Sequence, residues 1–437
     1  MDAIAEYSTR RDGMAEGLRA ATARGAPVGL GKSTSNLFRR RETGARHRLN
    51  ARAFDHVLRI DAERRIADVE GMTTYAALVE ETLRHGLLPA VVPQLKTITV
   101  GGAVSGLGIE SSSFRYGLVH ETVEEMEILT GEGRIVECSA CRHPDLFNGF
   151  PNSYGTLGYA LRLKIRLVPA KPYVGLTHER FTEARTFFAR VAELCERDAL
   201  DFLDGTIFGA GEMYVTQGVF LDDAPRVSDY TYMDIYYRSI QNKRQDWLTS
   251  QDYIWRWDTD WFWCSKHFGV QNPALRWFAK WGLNSRTYQR LMRLGQGLLP
   301  ESAAAESVIQ DVQIPIENAV AFCDFLLAEI GVLPVWMCPF RTSERAFDLC
   351  GLKTNRVYVN FGFWDLVPTT HPKGHYNRII ERRVSELCGT KGLYSTSYYD
   401  RETFSNLYGG RRYRELKKAY DPEQRFPDLY AKCVERR

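Results

Sequence analysis

No stretch of the 437 residues is apolar over the length that a helical bilayer crossing requires, so a transmembrane span is not expected. The start, MDAIAEYSTRRDGMAEGLRAATARG, lacks the apolar segment of a signal peptide. Nine cysteines are scattered without framework spacing, and Cys138 and Cys141 form one CxxC with no second pair to complete a zinc ribbon. Reduced thiols in a cytoplasmic compartment and no metal site are therefore expected. An excess of one charge is missing too. A net charge of +3 over this length argues against broad electrostatic binding of nucleic acid. What is there, 44% hydrophobic and 25% charged residues, is the balance of a globular protein, and the length favours two domains.

Three textures follow one another along the chain. In the first, ending near residue 170, short strands and helices alternate. DHVLRI (55–60) and RIADV (65–69) read as strands, and TYAALVEETLRH (74–85) reads as a helix stopped by Gly86. Residues 123–129 and 134–138 flank the turn-like TGEGR, and LRLKIRLV (161–168) alternates as a half-wet strand ended by Pro169. The second texture, 171–389, is aromatic, with strands expected in GEMYVTQGVF, LPVWMCPF and RVYVNFGFW and a helix after Glu317. Residues 390–437 are polar, aromatic and helical, and are expected to rejoin the first region. The fold class is thus α+β, with an antiparallel sheet in the middle region.

Two glycine loops are the most informative segments. GLGKST (29–34) has P-loop wording, but Ala26 stands where the first Walker glycine belongs. TITVGGAVSGLGIESSSFRYG (97–117) fails the Rossmann spacing and is expected to be neither a core strand nor a helix. Closely spaced backbone N–H groups without Cβ atoms still make anion cradles, and two such loops suit a pyrophosphate joining two halves of a dinucleotide.

The order TVGGAVSGLGIESSSFRYGL, a strand pair, then HPDLFNGFPNSYGTLGYALRLKIRLVPAK resembles the FAD-binding domain of the vanillyl-alcohol oxidase/p-cresol methylhydroxylase superfamily. GLGIESSS, IQDVQIPIE, LPVWMCPF, KGLYSTSYYDRETF and FPDLY resemble the Δ24-sterol reductase branch, which includes bacterial 10-methylene-fatty-acid reductases. The resemblance implies a bipartite FAD domain (1–170 with 390–437) and a cap over the flavin (171–389). It implies FAD contacts from Gly31, Lys32, Ser33, Thr34 and Ser35 in the first loop. In the second loop it implies contacts from Thr99, Gly101, Gly102, Gly106, Gly108, Ile109, Glu110, Ser111, Ser112 and Ser113, and at the later strand entry from Gly155, Thr156 and Gly158. Many oxidases of the superfamily carry a flavin-linking His in the first loop. Lys32 or Ser33 occupies that place here, so non-covalent FAD is expected.

The activity implied is reduction of an isolated C=C in a lipid, a 10-methylene fatty acyl chain or a sterol side chain, with NADPH as electron donor. Glu110, Tyr116 and Tyr398 are the expected acid residues, with Tyr394 a further phenol. Arg341 and Trp336 are expected at the substrate. Trp255, Trp257, Trp261 and Trp263 serve either as core or as an aromatic wall. The region 261–300 has basic residues and no Asp or Glu, and points to peripheral contact with an anionic membrane. A lipid methyltransferase is the expected protein partner. Two readings stay open beside this one: an alcohol or hydroxy-acid oxidase on the same scaffold, and a non-catalytic flavin- or lipid-binding subunit.

Overall fold

The alternation of LRLKIRLV is realised in the strand Tyr159–Pro169, whose residues are buried at nearly every second position. It is central to a six-stranded antiparallel sheet ordered Val57–Asp61, Ile66–Glu70, Tyr159–Pro169, Val123–Leu129, Ile135–Ser139, with Leu87–Pro89 paired to its far end. The computed structural model describes residues 3–23, 28–32, 38, 47–295 and 305–435. The helix Tyr75–Leu83 is capped by the Thr74 hydroxyl, and the chain leaves it at Gly86 in the left-handed region.

The helix Ala3–Ala23 lies on the polar face of this sheet. There Arg162 is held by Asp68 at 2.7 Å and Glu127 at 2.9 Å, and the Tyr7 hydroxyl donates to Glu127 at 2.8 Å. The short strands Val28–Gly31 and His47–Asn50 pair in parallel beside it.

The second layer is an eight-stranded antiparallel sheet. Its order is Gln245–Thr249, Tyr173–Phe181, Glu212–Leu221, Phe202–Gly209, Val335–Arg341, Val357–Pro368, Ala305–Pro315, Thr390–Lys391. One face is closed by the helices Ala184–Cys195, Ala319–Phe325 and His375–Glu386, which bury Phe187, Val191, Phe322 and Ile380 against Val359 and Phe361. The other face turns toward the glycine loops.

Period two decides which residues go where. On Ala305–Pro315, Val308, Val312 and Ile314 enter the helix-covered core, while Ser307, Ile309, Asp311 and Gln313 face the opposite side. After Lys391 the chain leaves this sheet. The helices Gly410–Tyr420 and Leu429–Cys433 reach back to the first layer: Lys417 donates to the Thr156 carbonyl (2.7 Å) and Tyr420 to Asp145 (2.8 Å).

The segment 97–117 departs from expectation. It contains two short helices, Val100–Ser105 and Ser113–Tyr116. Thr99 caps the first by accepting from the Gly102 N–H, and Val100, Ala103 and Val104 are buried, so capping and packing outweigh the low helix propensity of two glycines.

Candidate functional site

A cavity of about 910 Å³ opens between the two layers, near the upper end of what small-molecule sites occupy. One wall is backbone, from Gly71, the 99–109 loop and the 155–158 strand entry. Glycine is required here by close approach. A Cβ on Gly101 would stand 2.7 Å from the Gly71 carbonyl oxygen, and one on Gly158 (φ +150°) 2.6 Å from that of Leu129. Among the described residues, a Cβ on Gly102 would meet only the Thr99 side chain, its hydroxyl at 2.8 Å, and it faces the cavity.

Lys32, Arg48 and Lys432 bring positive charge to the same space. A glycine-floored, cationic wall suits a dinucleotide, and the residues present fit FAD.

The opposite wall is aromatic and belongs to the second layer. Trp261, Phe262, Trp336 and Trp364 line it, with Asp311, Gln313, Asn360 and Tyr394. Trp364 stacks on Trp263 at 4.5 Å and takes Phe262 edge-on at 4.7 Å, which fixes its orientation. Of the four clustered tryptophans only Trp261 reaches the cavity; Trp255, Trp257 and Trp263 are buried packing residues.

Lys32, Thr99, Gly101, Gly102, Gly106, Gly108, Ile109, Gly155, Gly158 and Trp336 are brought together around this space. Ser33, Thr34 and Ser35 lie outside the described residues. Gly31 is held in its strand, its carbonyl accepting from the Ala51 N–H at 3.0 Å, and does not line the cavity.

The ESSS run is placed differently from the expectation. Ser111 bonds Glu110 (2.7 Å) and the Tyr253 hydroxyl (2.8 Å), Ser112 donates to the Ala90 carbonyl (2.8 Å), and the Ser113 hydroxyl accepts from the Glu110 N–H (3.2 Å). All three are buried and engaged inside the protein, so they are not cavity-facing donors. Thr156 likewise spends its hydroxyl on the Ser153 carbonyl at 2.8 Å.

Glu110 also points away from the cavity. Arg256, fully buried, lies 3.0 Å from the Glu110 carboxylate and 2.8 Å from that of Asp204. Burial pushes the Glu110 carboxyl above its ordinary range, opposed by Arg256 and the Ser111 hydrogen bonds. Asp204 in turn accepts from Trp336 Nε1 at 3.1 Å, so the cluster stands behind the aromatic wall and holds it.

Tyr116 packs between Arg115 and Arg166, and Tyr398 lies under Arg378 with its N–H on Glu381; neither reaches the cavity. Arg341 is paired with Glu196 at the surface, where a head group has no enclosed site to share. Among the described residues, Asp55, His56 and Glu70 gather metal-ligand-type atoms, but Glu70 is already bonded by Arg10 at 2.6 Å.

Asp311, Asn360, Gln313 and Trp364 were not singled out from the sequence. A partial signal was available for Asp311 and Gln313 in AESVIQDVQIP, where they alternate with Val312 and Ile314; none marked Asn360 or Trp364.

Comparison with known proteins agrees with this geometry. Residues 7–139 match the family described as an FAD binding domain. The human Δ24-sterol reductase is 27% identical over 394 residues, covering 86% of this chain and 75% of its own. The Arabidopsis thaliana Δ24-sterol reductase is 25% identical over 97% of this chain and 82% of its own. Cytokinin dehydrogenase 6 of Oryza sativa subsp. japonica is 32% identical over 144 residues, 32% of this chain and 27% of its own. With an FAD-binding segment, an α+β two-layer architecture and these relatives, the chain is similar to the FAD-binding superfamily of vanillyl-alcohol oxidase and p-cresol methylhydroxylase, in its sterol reductase-like branch.

Proposed function

We propose that the chain is an FAD-dependent oxidoreductase that reduces an isolated C=C of a lipid, a 10-methylene fatty acyl chain or a sterol side chain, with NADPH as electron donor. The observation that carries this reading is a single cavity with a glycine-floored cationic wall and an indole-lined wall. Lys32, Thr99, Gly101, Gly102, Gly106, Gly108 and the 155–158 entry would hold FAD non-covalently. The FAD-binding unit is assigned to 1–170 with 390–437, and the cap to 171–389.

When bound, reduced FAD supplies the two electrons and one hydrogen of the reduction. The chain does the rest. Trp261, Phe262, Trp336 and Trp364 exclude water and present aromatic faces to positive charge developing on the alkene. NADPH added without oxygen should bleach the yellow protein. The lipid alkene should then restore the colour, and a simple alcohol added to the oxidised yellow protein should not bleach it.

The lipid is reached from a membrane surface. Leu275, Trp277, Phe278 and Trp281 are 54%, 62%, 77% and 92% exposed, a concentration unusual for an unpartnered surface. Lys280, Arg286 and Arg290 are exposed beside them. Lys266 and Arg276 do not contribute, being paired with Asp365 and Asp260, and the Arg293 side chain lies outside the described residues. Phe268 joins the patch to the cavity: it lines the cavity and stacks on Tyr288 of the helix Ser285–Gly295 at 5.2 Å.

A basic, aromatic surface of this kind docks in the headgroup layer of anionic lipid, each basic side chain contributing about 1 kcal/mol. In vesicle flotation, Lys280/Arg286/Arg290→Glu is expected to bind phosphatidylserine vesicles at least about tenfold more weakly than the parent, and high salt should weaken the parent likewise. Equal binding by the triple variant would remove the membrane contact from the account.

A further inference from the structure

We infer that Asp311 and Tyr394 form the proton-delivery pair of the alkene site, Tyr394 presenting its phenol to the substrate and Asp311 acting as the proton reservoir behind it. The inference rests on the proposed alkene reduction and supplies the acid which Glu110, turned toward Arg256, does not.

Both groups line the cavity, and the Tyr394 hydroxyl lies 2.7 Å from Asp311 Oδ2, donating to it when Asp311 is ionised and accepting from it when Asp311 is protonated, which frees the phenolic proton for the substrate. The register places Asp311 opposite Gly362, and Gly362 opposite Trp336 on the next strand. A Cβ on Gly362 would come 2.8 Å from Asp311 Oδ1 and 3.2 Å from each of the indoles of Trp336 and Trp364. Gly362 is therefore packed too closely for any side chain, and the Asp311 carboxyl and the indoles of Trp336 and Trp364, all three cavity-lining, converge over it. That combination fits an alkene acquiring positive charge.

The pair is held from behind. Asn360 Nδ2 donates to Asp311 Oδ1 at 2.6 Å, and its own oxygen accepts from Gln313 Nε2 at 2.8 Å. Thr390 donates to the Gln313 amide oxygen at 3.1 Å, which sets the orientation of the whole chain. Tyr394 is fixed by its carbonyl, which accepts from the Phe38 N–H at 3.0 Å, and by the Phe38 ring set edge-on at 5.8 Å.

The groups bonded to the Asp311 carboxyl are therefore the neutral Asn360 and Tyr394. Two strands away, the Cys338 thiol is near enough to feel its charge. Glu110 and Asp204, in contrast, share Arg256. Burial raises the Asp311 carboxyl to about 6, so it holds a proton below that pH, and burial keeps Tyr394 a phenol.

The step balances as follows. The alkene π pair forms a C–H bond with the Tyr394 proton at the less substituted carbon, breaking the phenolic O–H bond. The Asp311 proton moves to the tyrosine oxygen, leaving a carboxylate that faces the positive carbon. The second C–H bond takes its electron pair and hydrogen from the two-electron donor of the site, a reduced flavin. Solvent then returns one proton to Asp311.

The test uses flavin-loaded full-length Asp311→Asn and Tyr394→Phe. Both should keep the parent flavin spectrum and the rate of bleaching by NADPH. Reoxidation by the alkene should slow by about 10² or more. In the parent that rate should fall as pH rises above about 6, since the proton is held below the raised value and lost above it, and Asp311→Asn should lose this dependence. Infrared pH-difference spectra, needing no substrate, should show a protonated carboxyl titrating near pH 6 that is absent from Asp311→Asn. If Asp311→Asn loses flavin, Tyr394→Phe decides, because it removes only a hydroxyl. Parent-like rates and pH profiles in these variants overturn the pair while leaving alkene reduction standing. A parent that accepts no lipid alkene overturns the functional reading itself, and the pair with it.

Discussion

Gly102→Val is expected to purify as a folded, colourless protein. The substitution adds a branched side chain where, among the described residues, the only neighbour within 4 Å of a Cβ is the Thr99 side chain, and it faces the cavity. The fold loses little beyond the cap bond between Thr99 and the Gly102 N–H, a contribution of about 1 kcal/mol. The methyl groups enter the space assigned to the cofactor. Gly101→Val is the contrasting variant: its Cβ meets the Gly71 backbone at 2.7 Å, which cannot move without separating the helix Val100–Ser105 from the sheet, so it should fail to fold. Visible absorbance and far-ultraviolet circular dichroism separate the two outcomes. A yellow Gly102→Val protein would place the cofactor elsewhere.

Arg256→Leu should be the most destabilising single change away from the cavity. The guanidinium is fully buried, shared between Glu110 and Asp204, and bonded to the Tyr253 carbonyl at 2.9 Å. Its removal leaves two carboxyls in a dry interior, and breaking a buried pair in this way costs about 3–5 kcal/mol. The pH dependence has a definite sign. Burial already raises the Glu110 carboxyl, and without Arg256 it rises further, so the folded variant keeps protons that the unfolded chain releases. Stability of the variant should therefore fall as pH rises above about 4, making it less stable at pH 7.5 than at pH 5. Urea unfolding at both pH values measures this. A loss below about 1 kcal/mol, or greater stability at the higher pH, would contradict the assignment of Arg256 as the sole counter-charge of this cluster.

The strands were legible where one side of the chain is wet. Tyr159–Pro169 carries period two openly, and Val123–Leu129 was marked by the TGEGR turn, which follows from Gly133 in the left-handed region. The second layer was legible as strands but not as a surface, because its cavity face is itself aromatic and hides the alternation everywhere except on Ala305–Pro315. The glycine loop was read correctly as a place of close approach, while the destination of each side chain was not. Glu110 and Ser111 sit in sequence beside the cavity residue Ile109, yet both turn into the protein toward Arg256 and Tyr253, partners 140 or more residues away. Arg341 ends a buried strand and was read either as a substrate contact or as a surface ion pair, and its long side chain leaves the sheet end for Glu196. Contacts between residues far apart in the chain, such as Tyr394 with Asp311, leave no local pattern.

The most direct test of the central claim is an anaerobic two-step titration of the purified protein. NADPH should bleach the flavin completely, and a lipid bearing an isolated C=C should restore its absorbance, with one saturated lipid formed per flavin reoxidised. Reoxidation by oxygen alone, with the alkene recovered unchanged across both 10-methylene acyl and sterol side-chain substrates, would contradict it.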